Sequence, residues 1–223
     1  LVETTDNIIE PKDINENTTI GIDLGIKDFL VTSNGDKVSN PKHLKKSEKK
    51  LKKRQRKHSK KLKGSNNKNK SRIKVAKVHQ KITNQRKDFL HKLSSKLISE
   101  NQTICIEDLA VSNMVKNHKL AKAISDVSWS EFTRQINYKA NWYGKTIISI
   151  GRFDPSTKLC NICGMLNNNL TLNNRTWVCD CGTEHDRDVN AAINIKNFGL
   201  TKVDYPLLKL NTSGTEEINA CQI

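Results

Sequence analysis

The sequence predicts an α/β fold with a mixed sheet, interrupted by a helical hairpin and by a metal-binding insert. Three observations carry that prediction. Short apolar runs in TTIGIDLGIKDFLVTSNGDKV, TICIEDL and TIISI read as strands, and helix-periodic segments lie between them. Residues 42 to 96 hold 23 of the 39 Lys and Arg, with only two acids, Glu48 and Asp88. Four cysteines fall as C-x2-C, fifteen residues, C-x-C, at Cys160, Cys163, Cys179 and Cys181.

Composition narrows the function. A chain of 223 residues holds one large domain or one domain with small inserts, and 35% hydrophobic with 5% aromatic residues makes a lean core. A formal charge of +16 calls for a polyanionic partner, nucleic acid before an anionic membrane. No apolar run approaches the ~20 residues that span a bilayer. The opening LVETTDNIIEPKD lacks an apolar core, so it is no signal peptide. Paired cysteine knuckles without an export signal read as zinc in a reducing, cytoplasmic compartment. The chain begins with Leu, as a portion of a longer protein would.

Taken in order, residues 1–17 are polar and expected to be loosely ordered. Ile20, Ile22 and Leu24 form the apolar face of a first strand; Phe29 and Val31 mark a second, and Asn34-Gly35 a tight turn. Asp23 lies inside the first strand among apolar neighbours, where burial is costly unless a metal or a cation meets it. In the basic stretch, one helical arm carries Leu44, Leu51 and Leu62. A second carries Val75, Val78, Ile82, Phe89, Leu93 and Leu97, and GSNNKNKS at 64–71 is the turn between them. So one-sided a charge balance predicts phosphate contact, here assigned to Lys52, Lys53, Arg54, Arg56, Lys60 and Lys61. The near absence of aromatics argues against base stacking in the hairpin. TICIEDL is a buried strand ending at Glu107 and Asp108, with Cys105 a small core residue. Residues 110–126 read as a connector. Ser128 is placed to cap a helix whose stripe is Trp129, Phe132, Ile136 and Trp142 or Tyr143, and Gly144 ends it before the strand TIISI. Asp188 heads a last helix, and the final 24 residues read as a weakly structured tail.

This order puts Asp23 on the first strand, Glu107 at the end of the fourth and Asp186 and Asp188 at the last helix, so that three acids far apart in sequence can converge at one edge of the sheet. Clustered carboxylates need cations, and hard oxygen ligands select Mg²⁺ or Mn²⁺. Two such ions support phosphodiester hydrolysis. GxxxxGK[ST], GxSxG and HExxH are absent from the sequence.

GIDLGIKDF, IEDL, FDPSTKLCNICG, TWVCDCG and HDRDVNAAINI together resemble the C-terminal half of the TnpB family, the OrfB-type proteins of bacterial and archaeal insertion sequences. The likeness runs in order from about residue 18 to 198. It implies a RuvC-like nuclease domain of RNase H-like fold with a zinc-ribbon insert. It further implies a transposon-encoded, Mg- or Mn-dependent, RNA-guided DNA endonuclease, with DNA and guide RNA as partners in a prokaryotic, nucleoid-associated setting. The acids carry over as Asp23, Glu107 and Asp188, with Asp108 a neighbour and Asp186 structural. The divisions expected are 18–41, 101–155 and 185–199 for the RuvC-like parts, 42–100 for the basic hairpin, 156–184 for the zinc ribbon and 200–223 for the tail. Two departures stand out. The second knuckle is C-x-C where the family has C-x2-C; that pinches the chelate loop, but zinc needs a tetrahedron of ligands and not one loop length, so all four cysteines stay as ligands with His185 in reserve. Some seventeen residues precede GIDLG where the family has a guide-holding domain, so salt-sensitive binding without guided cutting is expected of residues 1–223 alone. The rival reading is a catalytically idle nucleic-acid-binding remnant that regulates transposition. A zinc-ribbon ribosomal or transcription protein leaves GIDLG and IEDL without a reason.

Overall fold

The computed structural model describes residues 9–171 and 173–203. Strands β1 (Thr19–Leu24), β2 (Asp28–Thr32) and β3 (Lys37–Ser39) form an antiparallel meander. Its second turn closes through Thr32 N–H to Asp36 O (2.9 Å) and Gly35 N–H to Thr32 O (3.0 Å), with Gly35 at φ +90°. β4 (Thr103–Glu107) pairs parallel with β1, and β5 (Thr146–Ile150) pairs parallel with β4. The sheet order is therefore β3-β2-β1-β4-β5.

Strand alternation gives the sheet two unlike faces. Ile20, Ile22, Ile104 and Ile106 belong to the main core, together with residues of α2 (Asn66–Glu100) and α5 (Trp129–Tyr143). Phe29 sits there edge-on to both Phe89 and Phe132, at centroid distances of 5.1 and 5.0 Å. On the other face lie Gly21, Cys105 and Ile148, and across them runs α6 (Arg187–Lys202). The approach is close because side chains are missing on both sides. A Cβ on Gly21 would fall 2.1 Å from the Ala192 carbonyl oxygen, and one on Gly199 would fall 2.4 Å from Cys105 Sγ. The helix is thereby seated with its N-terminus over one end of the sheet.

The hairpin is built of α1 (His43–Ser59) and the long α2. Their shared apolar line is Leu51, Val78 and Ile82, with Leu44 and Val75 at its margin. Two expectations fail here. Leu62 lies beyond α1 and is 80% exposed, so it does not extend the line. Ser65 caps α2 through Lys68 N–H, so residues 66–71 are helix and not turn. The polar character that suggested a turn is the N-terminal surface of a solvated helix. α1 has no side-chain cap of its own. Asp126 supplies one from a distance, accepting from Leu44 N–H at 3.1 Å while pairing with Arg86 at 3.1 Å.

The connector at 110–126 contains two short helices, α3 (Val111–Met114) and α4 (Ala121–Val127), the second anchored by buried Ile124 and Val127. Ser128 does not cap α5. It adopts φ 61° and its hydroxyl turns back to Ser125 O, while Glu131 binds Arg134 and Gln135. Trp129, Phe132 and Ile136 are buried as expected, and Ala140 completes the stripe. Trp142 and Tyr143 are 67% and 58% exposed. Lys139 instead turns inward and pins α5 to α2, its ammonium donating to Ser94 Oγ (2.7 Å), Ser95 Oγ (2.8 Å) and His91 O (2.9 Å). Ahead of β1, residues 9–15 lack regular structure, yet Ile9 packs on Gly144 and Ile14 joins the core under α6. The helix at 188–198 extends to Lys202, and the rest of the expected tail lies outside the described residues. No helix among the described residues is long and apolar enough to cross a membrane.

Candidate functional site

Register places the first two acids. The β1–β4 ladder ends at Ile22 opposite Ile106, so one residue further Asp23 stands beside Glu107, at the C-terminal ends of adjacent parallel strands. Asp23 lies two residues beyond Gly21 and Glu107 two beyond Cys105, so both face the α6 side. Asp186 starts α6, its carboxylate accepting from the N–H groups of Asp188 (3.1 Å) and Val189 (3.2 Å). Asp188 follows in the first turn, and its charge acts on Asp23. Asp108 points elsewhere, exposed and paired with Arg152 at 2.6 Å.

The electrostatics show that the three acids feel one another. Burial, then Glu107, then Asp188 push the Asp23 carboxyl up from 3.8 to about 7, against the pull of Arg187 and Arg175. Glu107 accepts a hydrogen bond from the buried Ser156 hydroxyl at 2.8 Å. Asp188 is held by two guanidinium groups, Arg175 at 2.7 Å and Arg187 at 2.8 Å. Arg175 also accepts the Arg187 N–H on its backbone oxygen at 2.8 Å, which ties it to the start of α6.

The sign of a pH effect follows. Between 3.8 and about 7 the folded chain keeps a proton on Asp23 that the unfolded chain releases. The stability linked to that proton is complete below the ordinary carboxylate value and is lost as pH rises through about 7. In EDTA, an Asp23→Asn variant is therefore expected to be more stable than the parent near pH 8, by up to about 4 kcal/mol, and to match it near pH 4. Thermal melts across that range check this, and equal melting at the upper end would refute it.

The cysteines form a second cluster. β6 (Thr176–Val178) and β7 (Glu184–Asp186) make a small antiparallel ribbon. Sγ atoms of Cys160, Cys163, Cys179 and Cys181 lie within 4.8 Å of one another, with Cys163 to Cys179 at 3.5 Å and Cys160 to Cys181 at 3.9 Å. Zinc–sulfur bonds of ~2.3 Å give tetrahedral edges of about 3.8 Å, so the donor set fits zinc despite the shortened C-x-C knuckle. His185 is buried against Trp177, and its Nε2 lies 3.1 Å from Cys160 Sγ, beside the cluster. Among the described residues the cysteines are the one closed ligand set. The three carboxylates are within electrostatic reach of each other and form no comparable shell.

Other side chains support the site that the sequence reading did not single out: Ser156, Arg175, Arg187, Asn190 and Asn194. Asn190 donates to Leu159 O (2.7 Å) and accepts from Asn161 N–H (3.0 Å). Asn194 donates to Ser156 O (2.8 Å) and Leu159 O (2.7 Å). Buried amides one helical turn apart thus lock α6 to the segment that carries Ser156 and Cys160. Their signal was present as two Asn on the apolar face of VNAAINI. On the hairpin, Lys52, Lys53, Arg56 and Lys60 share the outer face of α1 with Lys49 and Lys57. Arg54 instead enters a groove with Lys50, Lys74, Lys77 and Lys81. Lys61 follows the end of α1, its backbone oxygen bound by Lys68 Nζ at 3.2 Å.

A family model described as "Probable transposase", OrfB_IS605, matches residues 1–118. The chain belongs to the OrfB_IS605 family. A second model, "Cas12f1-like, TNB domain", matches residues 129–195, the part of this OrfB_IS605 chain that holds the ribbon and most of α6. A relative from Streptomyces pristinaespiralis, named "Putative RNA-guided DNA endonuclease", is 53% identical over 81% of the chain and 45% of its own length. InsQ of Escherichia coli, with the same description, is 32% identical over 81% of the chain and 48% of its own length. The cryo-EM structure of a Cas12f1–sgRNA–target DNA complex superposes with TM-score 0.59 at 22% identity, covering 83% of the chain and 51% of that protein. That likeness establishes the fold. The OrfB_IS605 chain spans about half the length of the curated relatives it matches.

Proposed function

We propose that this chain carries the nuclease centre of a transposon-encoded, RNA-guided DNA endonuclease, a RuvC-type site on an RNase H-like fold. The observation that carries the reading is the meeting of Asp23 and Glu107 at adjacent strand ends with Asp188 nearby, where burial first, and then the charges of Glu107 and Asp188, push the Asp23 carboxyl up to about 7. A fold has no structural use for that cost, whereas a site for divalent cations does. A regulator that kept only the fold and the charge leaves the same cost unexplained. The acceptors suit Mg²⁺ or Mn²⁺, which would supply a water activated for attack on the phosphodiester and charge stabilisation of the leaving 3′ oxygen.

The chain's own residues divide the remaining work. Asp23 and Glu107 offer their carboxylates from rigid strand ends, and Ser156 orients Glu107. Asp188 adds a third carboxylate from a helix N-terminus fixed by its Asp186 cap. Arg175 holds Asp188 from the ribbon and is half-exposed, so it can turn from the carboxylate to a phosphate oxygen of the substrate. The ribbon, with zinc on Cys160, Cys163, Cys179 and Cys181, keeps Arg175 and the α6 N-terminus in register. The expected divisions at 18–41, 42–100, 101–155, 156–184 and 185–199 fit this reading, as do DNA as substrate and RNA as guide.

Calorimetry with Mn²⁺ tests the proposal. Mn²⁺ binding that disappears in Glu107→Gln is expected; no binding by the parent, or unchanged binding in that variant, would overturn it. Elemental analysis is expected to find one zinc per chain, and Cys163→Ser should lower both zinc content and melting temperature. A protein free of zinc, or a variant that keeps both, would remove the ribbon's metal.

A further inference from the structure

Aromatic residues are scarce in this chain, yet α5 carries three away from the core, the half-buried Tyr138 and the exposed Trp142 and Tyr143. Arg134, Tyr138 and Trp142 follow one another at intervals of four residues, so they form a single stripe along the helix. The Arg134 guanidinium sits 5.4 Å from the Tyr138 ring centroid, and Tyr138 and Trp142 meet at 4.6 Å. Exposed Asn137 and Asn141 run beside the stripe, and Tyr143 and Lys145 lie at its end. Only one acid, Glu131, belongs to α5, and it is neutralised by Arg134 at 2.8 Å. Trp129 and Trp177 are buried, which leaves Trp142 as the one exposed tryptophan of three.

We propose that this stripe is a stacking platform for single-stranded RNA, separate from the basic hairpin and from the carboxylates. Flat aromatic and guanidinium surfaces accept unpaired bases, amide side chains reach base edges, and a net charge of +16 draws the polyanion in. Position selects RNA over the DNA substrate. The helix ends at Gly144 and leads into Thr146, which pairs with Thr103 at the N-terminal ends of the parallel strands. Asp23 and Glu107 stand at the opposite ends of the same strands. A strand stacked on Trp142 is held away from the site of hydrolysis, as suits a strand that is bound and not cut. The proposal rests on the reading of the chain as RNA-guided.

The fluorescence of Trp142 reports on it directly. The protein is titrated in EDTA with a short unstructured RNA, with DNA of the same sequence, and with the corresponding RNA duplex. Saturable quenching by the single-stranded RNA is expected, with weaker quenching by the DNA and none by the duplex, which the hairpin binds through phosphates. Trp142→Leu should abolish the signal change and weaken single-stranded RNA binding about tenfold by anisotropy. Tyr138→Leu should weaken it comparably while retaining the reporter. Unchanged RNA affinity in both variants, equal quenching and affinity with DNA, or quenching that follows protein concentration alone and so marks a protein contact, would each overturn the platform. No divalent ion is present and no cleavage is read, so an inactive carboxylate site leaves the result untouched. RNA binding retained by the hairpin with a silent Trp142 sinks this proposal only.

Discussion

In a full-length context that cuts DNA, Asp188→Ala is expected to reduce metal-dependent cleavage by on the order of 10³-fold or more, the several kcal/mol of charge stabilisation that a divalent site contributes. The neighbouring acids make the test selective. Asp186 stands two residues away but spends its carboxylate on the N–H groups of Asp188 and Val189. Asp186→Ala should therefore cost about 0.5–2 kcal/mol of stability through the lost cap, with a partial loss of activity. Asp108 is exposed and bound to Arg152, so Asp108→Ala should leave cleavage near the parent level. Residues acting as one unit are not additive, and Asp188→Ala alone should approach the loss seen when Asp23 and Glu107 are removed with it. Cleavage that survived Asp188→Ala and failed in Asp186→Ala would reassign the third carboxylate.

The convergence of these acids was legible because it depends on pattern and register. GIDLG and IEDL are strands that carry an acid at or next to their last position, and parallel pairing sets Asp23 beside Glu107. The cysteine knuckles were equally legible, since zinc needs four thiolates at tetrahedral spacing more than it needs one loop length. What escaped the sequence depends on partners far apart in the chain. Lys139 reads as one more surface cation until three oxygens of α2 surround its ammonium. Asp126 sits in a connector and yet caps α1, across more than eighty residues. Trp142 and Tyr143 continue the helical stripe in sequence, but α2 covers the earlier turns of α5 and leaves these rings in the open. Ser128 and Glu131 match a capping box by spacing, while the left-handed Ser128 backbone aims the hydroxyl away from the helix. Periodicity shows which face a helix buries; it does not show how far along the helix its neighbour reaches.

Nucleic-acid affinity is expected to fall by ~10³ or more between about 50 and 200 mM salt, if about six phosphates are neutralised. The hairpin has enough cations on two surfaces to do this. Lys49, Lys53, Arg56, Lys57 and Lys60 line the outer face of α1 with Lys52. Lys50, Arg54, Lys74, Lys77 and Lys81 line the groove toward α2, none of them in an ion pair among the described residues. Neither lining holds an aromatic side chain on which a base could stack, and phosphate contacts carry no sequence, so the loss should be the same for unrelated sequences. Glutamine is nearly as good a helix former as lysine, and Lys→Gln changes test charge without unfolding the arm. Lys53→Gln should lower the slope of log affinity against log salt by about 0.9, one phosphate's worth. Lys52→Gln should lower it less, because Lys52 already shares its charge with Glu48 at 2.8 Å, and Glu48 is bound a second time by Lys122 at 2.6 Å. A phosphate must displace that internal partner before Lys52 can release a counterion, whereas Lys53 meets the phosphate unpaired. Filter binding or anisotropy over a salt series measures both slopes; equal slopes for the two variants would show that the Glu48 pair does not persist in solution, and a slope near zero for the parent would remove the phosphate interface altogether.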